Sequence, residues 1–214
     1  MNSSPTAPRR AFPAWLIVIA AVAVAFGAWF GNRVLAPASV KLENAVLYPQ
    51  PRAVPDFQLA QTNGKPLTLA DWRGHFTVAY FGYTNCPDVC PTAMAAFKVA
   101  WKDLTQRGLD KQVQLDFVSV DPERDTPEPL GKYVAFFNPD FVAATGSDEE
   151  LTKLTRALGL IYSRGKDANG NVEVDHSGSA VIIDDQGRLL GIFRPPFTGS
   201  AVANDLAVLM RKEG

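Results

Sequence analysis

The chain has little of the residue types that usually make a polar site: its 214 residues include two cysteines and two histidines. The cysteines, Cys86 and Cys90, are separated by three residues, so any thiol chemistry belongs to one loop. Low-complexity tracts and internal repeats are absent, which leaves one ordinary globular domain with an appendage. Basic clusters are absent as well. Three of the 21 Lys and Arg residues precede Val34, whereas all 22 Asp and Glu residues lie beyond it, so the part beyond Val34 carries a net charge of about minus four. Such a surface excludes the electrostatic footprint of a nucleic-acid binder.

Charge is missing altogether from Ala11 to Asn32, where the run from Trp15 to Phe30 is apolar and has Trp near each end. Its length matches the roughly 17 to 25 residues that cross a bilayer, and its aromatic ends suit the two interfaces. We expect an uncleaved anchor over 14–32. A cleaved signal peptide, using the small residues Ala36-Pro37-Ala38, is the alternative, but the apolar run exceeds the usual 7 to 15 residues of such a signal. No cysteine lies nearby to take an N-terminal lipid. Arg9 and Arg10 precede the run with no acidic residue, which keeps 1–13 cytoplasmic and exports the globular domain to a periplasmic or equivalent intermembrane space. Residues 33–54, rich in proline, are expected to tether a domain over 55–214.

Within that domain Thr77–Gly82 is β-branched and aromatic and ends in Gly, as a buried strand does. Pro91 then opens a run with apolar residues three and four apart. Proline suits the first helical position, so Cys90 is expected at the N-cap and Cys86 in the loop before it. Free N–H groups and the macrodipole at a helix start favour a thiolate, and the pair is expected to be reactive.

Further elements read in order. Residues 56–59 and 67–69 flank Asn63-Gly64 as a small hairpin. Gln112–Val120 alternates as a strand, and Pro129–Phe137 continues as a helix. Ser147-Asp148-Glu149-Glu150 is a capping-box pattern that starts a helix through Leu158. Ile161-Tyr162 and Val172–Val174 flank Asn169-Gly170 as a second hairpin. Residues 179–184 and 189–193 form an antiparallel pair, and Ala201–Arg211 is the last helix. This order predicts an α/β, thioredoxin-like fold with an N-terminal hairpin and an inserted hairpin, preceded by one transmembrane helix.

Two cysteines in an exported domain would ordinarily be a structural disulfide. A loop of three intervening residues constrains little of the unfolded chain, which leaves thiol–disulfide exchange or metal binding. Thioredoxin-type reductases have two intervening residues and a cis-proline facing the pair. Here the segment before the corresponding strand is Val174-Asp175-His176-Ser177-Gly178-Ser179, without proline and with an imidazole. His176 taken alone would be a structural histidine, and His75 a solvated loop residue. In the predicted fold the strand after His176 should lie beside the thiol strand and bring its loop to the same sheet edge. Two thiolates and one imidazole are a soft, three-coordinate donor set. Thiolates select Cu(I), zinc or iron–sulfur centres, and structural zinc takes four ligands, so copper is favoured. Asp88, between the cysteines, and Asp121, after the next strand, read first as carboxylates capping turns. Their functional reading is that they tune the thiols or meet a partner.

At these residues the chain resembles the Sco/SenC family of membrane-anchored copper chaperones. The stretch Phe81–Pro91 is similar to that family's thiol motif, Ser119–Pro127 to its second motif, and Val174–Ser177 to its histidine motif. The resemblance covers about residues 55 to 210. It implies that Cys86, Cys90 and His176 bind one copper ion per chain, as Cu(I) or Cu(II), and deliver it to the dinuclear copper centre of cytochrome c oxidase subunit II during assembly. It further implies a redox-active Cys86–Cys90 disulfide, and as partners another copper chaperone and a thiol reductant. The protein is then a metallochaperone and not an enzyme. The alternative is an anchored thiol–disulfide oxidoreductase that reduces the cysteines of that copper site, with His176 incidental. A peroxidase is more distant, because no Pro-x-x-x-Thr-x-x-Cys pattern precedes Cys86.

Overall fold

The architecture is taken from a computed structural model, which describes residues 14–35, 41–166, 172–176 and 178–213, excepting the side chains of Ala14, Ile17, Arg164 and Lys166 and those of 32–35, 172–176 and 212–213. Two compact units divide the chain, one ending at Lys41 and one beginning at Leu42.

In the first unit the uncharged run is a single helix, α1 (Ala14–Leu35), of 22 residues. Its apolar side chains are exposed, Trp15, Ile19, Val24 and Phe30 among them. Among the described residues no helix is long and apolar enough to cross a membrane. The uninterrupted stretch of described side chains in α1 covers only 18–31, shorter than the backbone helix. Residues 1–13, the expected cytoplasmic segment, lie outside the described residues.

The second unit is built on an eight-stranded sheet. Its strands are β1 (Ala45–Ala53), β2 (Gln58–Gln61), β3 (Pro66–Thr68), β4 (Phe76–Gly82), then after helix α2 (Val89–Gln106) β5 (Val113–Ser119), and after α3 (Pro127–Phe137) β6 (Val142–Thr145). Helix α4 (Asp148–Leu158) leads to a separate hairpin of β7 (Tyr162–Lys166) and β8 (Val172–His176). The chain closes with β9 (Ala180–Ile183), β10 (Arg188–Phe193) and α5 (Gly199–Glu213). Strand order is β1-β10-β9-β4-β5-β6-β2-β3. The pairs β4–β5 and β5–β6 are parallel, and β9 runs antiparallel to β4. This mixed sheet is the expected thioredoxin-like arrangement, with the β2–β3 hairpin at one edge and β7–β8 inserted before β9.

Every residue of β4 and β9 is buried, as strands covered on both faces must be. The aliphatic and aromatic side chains of α2 that recur at helical spacing, Met94, Phe97, Ala100 and Leu104, turn to the core, and α2 packs beside α5. Residues 45–53, placed in the tether by their prolines, instead form β1. Its Pro49 and Pro51 are tolerated because β1 is an edge strand whose register with β10 shifts between Leu47 and Arg52. In α4 the capping-box pattern is half realised: the Glu150 N–H donates to Ser147 Oγ at 3.3 Å. The Glu150 carboxyl accepts the Gln58 N–H at 3.1 Å instead of reaching back to the cap, and so joins β2 to α4.

Candidate metal centre

The core strand β4 ends at Gly82, and the chain then turns through Tyr83 to Pro87 before entering α2. The Cys86 N–H closes this turn on the Tyr83 carbonyl at 3.3 Å. Helix α2 begins at Val89 with Asp88 as N-cap, two residues earlier than expected, so Cys90 lies inside the first turn instead of capping it. Pro91 is still accommodated, since first-turn N–H groups have no partner within the helix.

Both cysteines are free thiols and both are buried, Cys90 completely. The Cys90 N–H donates to Cys86 Sγ at 3.4 Å. A helix-start N–H therefore points at the first sulfur. Beneath the pair, the Tyr80 hydroxyl donates to Cys90 Sγ at 3.9 Å. Gly82 is required by this packing, because a Cβ there would stand 2.8 Å from Cys90 Sγ. The expectation that the helix start eases ionisation is reversed at Cys90, whose thiol is pushed up to about 12, mainly by burial. Burial thus favours the protonated thiol at Cys90.

The loop after β5 braces the thiol loop from the side. Asp125 is fully buried, and its carboxyl accepts the Thr84 N–H at 2.9 Å, the Thr84 hydroxyl and the Ser119 hydroxyl. Ser119 Oγ in turn accepts the Asp121 N–H at 3.1 Å. Asp121, also buried, pairs with Arg124, whose guanidinium lies over the Tyr83 ring at 5.7 Å. Asp121 is thus linked to the Tyr83 ring of the thiol loop through Arg124. Asp88 is exposed, and with Val89, Thr92, Gly178, Pro195 and Phe197 it lines an apolar cavity of about 350 Å³. Thr84, Ser119, Asp125 and Tyr80 did not stand out in the sequence. Ser119 and Asp125 lie in the second motif, but no spacing rule links position 125 to position 84.

His176 is the last residue of β8, opposite Tyr162. Four residues on, Ala180 pairs with Tyr80 across the antiparallel β9–β4 ladder. The backbone leading into β9 therefore runs out past the Gly82 end of β4, on the edge that carries the thiol loop, and Gly178 reaches the cavity beside Val89. Ser177 and the His176 side chain lie outside the described residues. Among the described residues no group of three or more His, Cys, Asp and Glu is set to hold a metal, so the described part of the predicted ligand set is the Cys86–Cys90 pair. His75, expected to be solvated, is half-buried at the opposite end of β4, and its Nε2 has no hydrogen-bond partner among the described residues. Burial lowers its pKa, against a smaller opposing effect of Asp71.

Comparison with known proteins places these features. The SCO1/SenC family pattern matches residues 47–211. A protein of Stutzerimonas stutzeri named a putative copper-binding protein is 33% identical over 153 residues, 72% of this chain and 74% of its own. The mouse mitochondrial SCO1 homologue is 33% identical over 72% of this chain and 55% of its own. Among solved structures, apo Sco1 from Thermus thermophilus has a TM-score of 0.70 and 32% identity, covering 81% of this chain and 99% of that one. Bradyrhizobium japonicum ScoI with copper bound has a TM-score of 0.65 and 31% identity over 72% and 97%. The matched region runs from β1 into α5 and takes in the thiol loop, its brace and the histidine strand, and the chain belongs to the SCO1/SenC family.

Proposed function

We propose that this protein is a membrane-anchored copper chaperone. Cys86, Cys90 and His176 bind one copper ion and hand it to the dinuclear centre of cytochrome c oxidase subunit II during assembly. The observation that supports the reading is the free thiol pair, with the Cys90 N–H aimed at Cys86 Sγ, on the sheet edge past which the backbone runs into β9 at Ala180. Two sulfurs from one loop and a third donor from another strand form an open site. Such a site exchanges its ion more readily than a closed four-ligand cage. Copper is bound in the related Bradyrhizobium structure, which supports the same cargo here. Exposed Asp88 and the apolar cavity it lines are the surface this reading assigns to a docking partner. Helix α1 serves as the anchor: 22 residues rise about 33 Å against a hydrocarbon core of about 30 Å, and Trp15 and Trp29 stand near its two ends.

Reduction of the target's cysteines by the same pair is the second reading, favoured by the position of the thiols at a helix start in a thioredoxin-like sheet. The two separate through His176. Full-length protein in detergent, reduced, should bind about one copper per chain, and the oxidised protein almost none, because the disulfide removes both thiolates. His176→Ala should keep the dithiol–disulfide cycle, lose Cu(II) binding more than Cu(I) binding, and fail to support oxidase assembly in cells. Normal assembly with lost copper binding would favour thiol reduction, and equal copper uptake by both redox forms would put the site elsewhere.

A further inference from the structure

Within the turn that carries Cys86, the Cys86 N–H donates to the Tyr83 carbonyl at 3.3 Å. A further hold on the turn comes from a segment about forty residues away. Thr84, two positions before Cys86, gives both its N–H and its hydroxyl to the Asp125 carboxyl, and Ser119 at the end of β5 gives its hydroxyl to the same group. Asp125 has no exposed surface, so none of these donors is replaced by water without rearrangement. The Asp125 N–H is itself held by the Asp121 carbonyl at 2.9 Å, and the loop is tied to β4 by the Val120 N–H on the Gly82 carbonyl, also at 2.9 Å. The acceptor is therefore anchored to the same strand end from which the thiol turn departs. The copper reading assigns Asp125 no part, and it touches neither sulfur.

We infer that Asp125 is a positioning residue: through Thr84 it holds the thiol turn so that Cys86 Sγ stays beside the Cys90 N–H, and thereby sets the effective concentration of one sulfur at the other. Copper chelation and disulfide formation both need the two sulfurs close together, so both draw on the same preorganisation. Releasing the turn weakens both in the same direction.

The test uses full-length protein in detergent. Against a glutathione buffer, the Cys86–Cys90 bond forms as the glutathione disulfide breaks, and both thiol protons leave with the two glutathione thiols produced. The equilibrium constant of this exchange is measured, together with Cu(I) affinity by competition with a chromophoric chelator. Asp125→Asn replaces an acceptor oxygen by an NH2 that faces a Thr84 or Ser119 donor, and should lower both constants about tenfold or more. Thr84→Val removes only the hydroxyl donor and should lower both by a smaller factor, whereas Thr84→Ser keeps the donor and should match wild type. Leu154→Ala, a core truncation in α4, controls for lost stability alone and should leave both constants unchanged. The copper arm rests on the proposed function and the thiol arm does not. If the wild type binds no copper while the exchange constant still falls in Asp125→Asn and Thr84→Val, positioning stands and the copper reading fails. If both constants stay within twofold of wild type while thermal stability falls as it does in Leu154→Ala, Asp125 is a structural residue and the inference is overturned.

Discussion

Asp116 shows how a single residue can make the stability of this fold depend on pH. It lies on β5 inside the core, with its carboxyl accepting the Trp72 indole N–H at 2.7 Å. Burial raises its pKa to about 7, although the Trp72 bond pulls the other way. Between about pH 4 and 7 the unfolded chain gives up this proton and the folded chain keeps it, so the folded state binds more protons and stability falls as pH rises. Above about pH 7 both states are ionised and the loss levels off. In Asp116→Asn this part of the pH dependence, a few kcal/mol at most on the order of the shift, should vanish. Urea denaturation from pH 5 to 8 checks it, and an unchanged slope in the mutant would assign the dependence to other groups. The site residues divide similarly by visibility. Cys86 and Cys90 were legible because only two thiols exist and a proline comes directly after each. Asp125 was not, since a buried carboxyl reads from sequence as one more loop aspartate until its donors are seen.

Among the elements, the strand hidden in the tether has the clearest consequence. The start of β1 is held by Asp205 of α5, whose buried carboxyl accepts the N–H groups of Glu43 at 2.8 Å, Asn44 at 2.8 Å and Ala45 at 2.7 Å. Asp205→Ala leaves three N–H groups without their acceptor, and should cost roughly 2–4 kcal/mol. Limited proteolysis should then cut near 41–45 well before the rest of the domain unfolds. Protection equal to wild type would mean that the β1–β10 ladder alone holds this segment. That β1 exists was not readable, because its prolines match a linker as well as an edge strand and only the partner β10 distinguishes them. The four-residue β6 was missed for a related reason: Val142–Thr145 is too short to show a period, and it is a strand because β5 and β2 flank it. The start of α2 lies two residues before the position the proline indicated, because Asp88 takes the N-cap and Pro91 is accommodated within the first turn.

For the whole molecule, the proposed anchor gives a topology that can be checked. A reporter enzyme active only outside the cytoplasm, fused after Gly214, should be active, and the protein should stay with membranes after a high-salt wash. Replacing Arg9 and Arg10 by Glu should reduce the correctly oriented fraction, since the positive flank sets orientation. A mature protein that begins after Ala38 would overturn the anchor. The sequence by itself determined the class of this protein: most of its helices and strands and the single thiol loop arise from local pattern, because strand period, helix spacing and Pro or Gly punctuation act over a few residues, and the three motifs are legible as a family resemblance. Only the tertiary structure decided that the Cys90 thiol is raised and not lowered and that Asp125 grips the turn before Cys86. Each of these depends on burial or on a hydrogen bond between segments brought together by the parallel pairing of β4 with β5. Desolvation and long-range contacts are set by where the sheet places residues distant in sequence, and no local pattern records that placement.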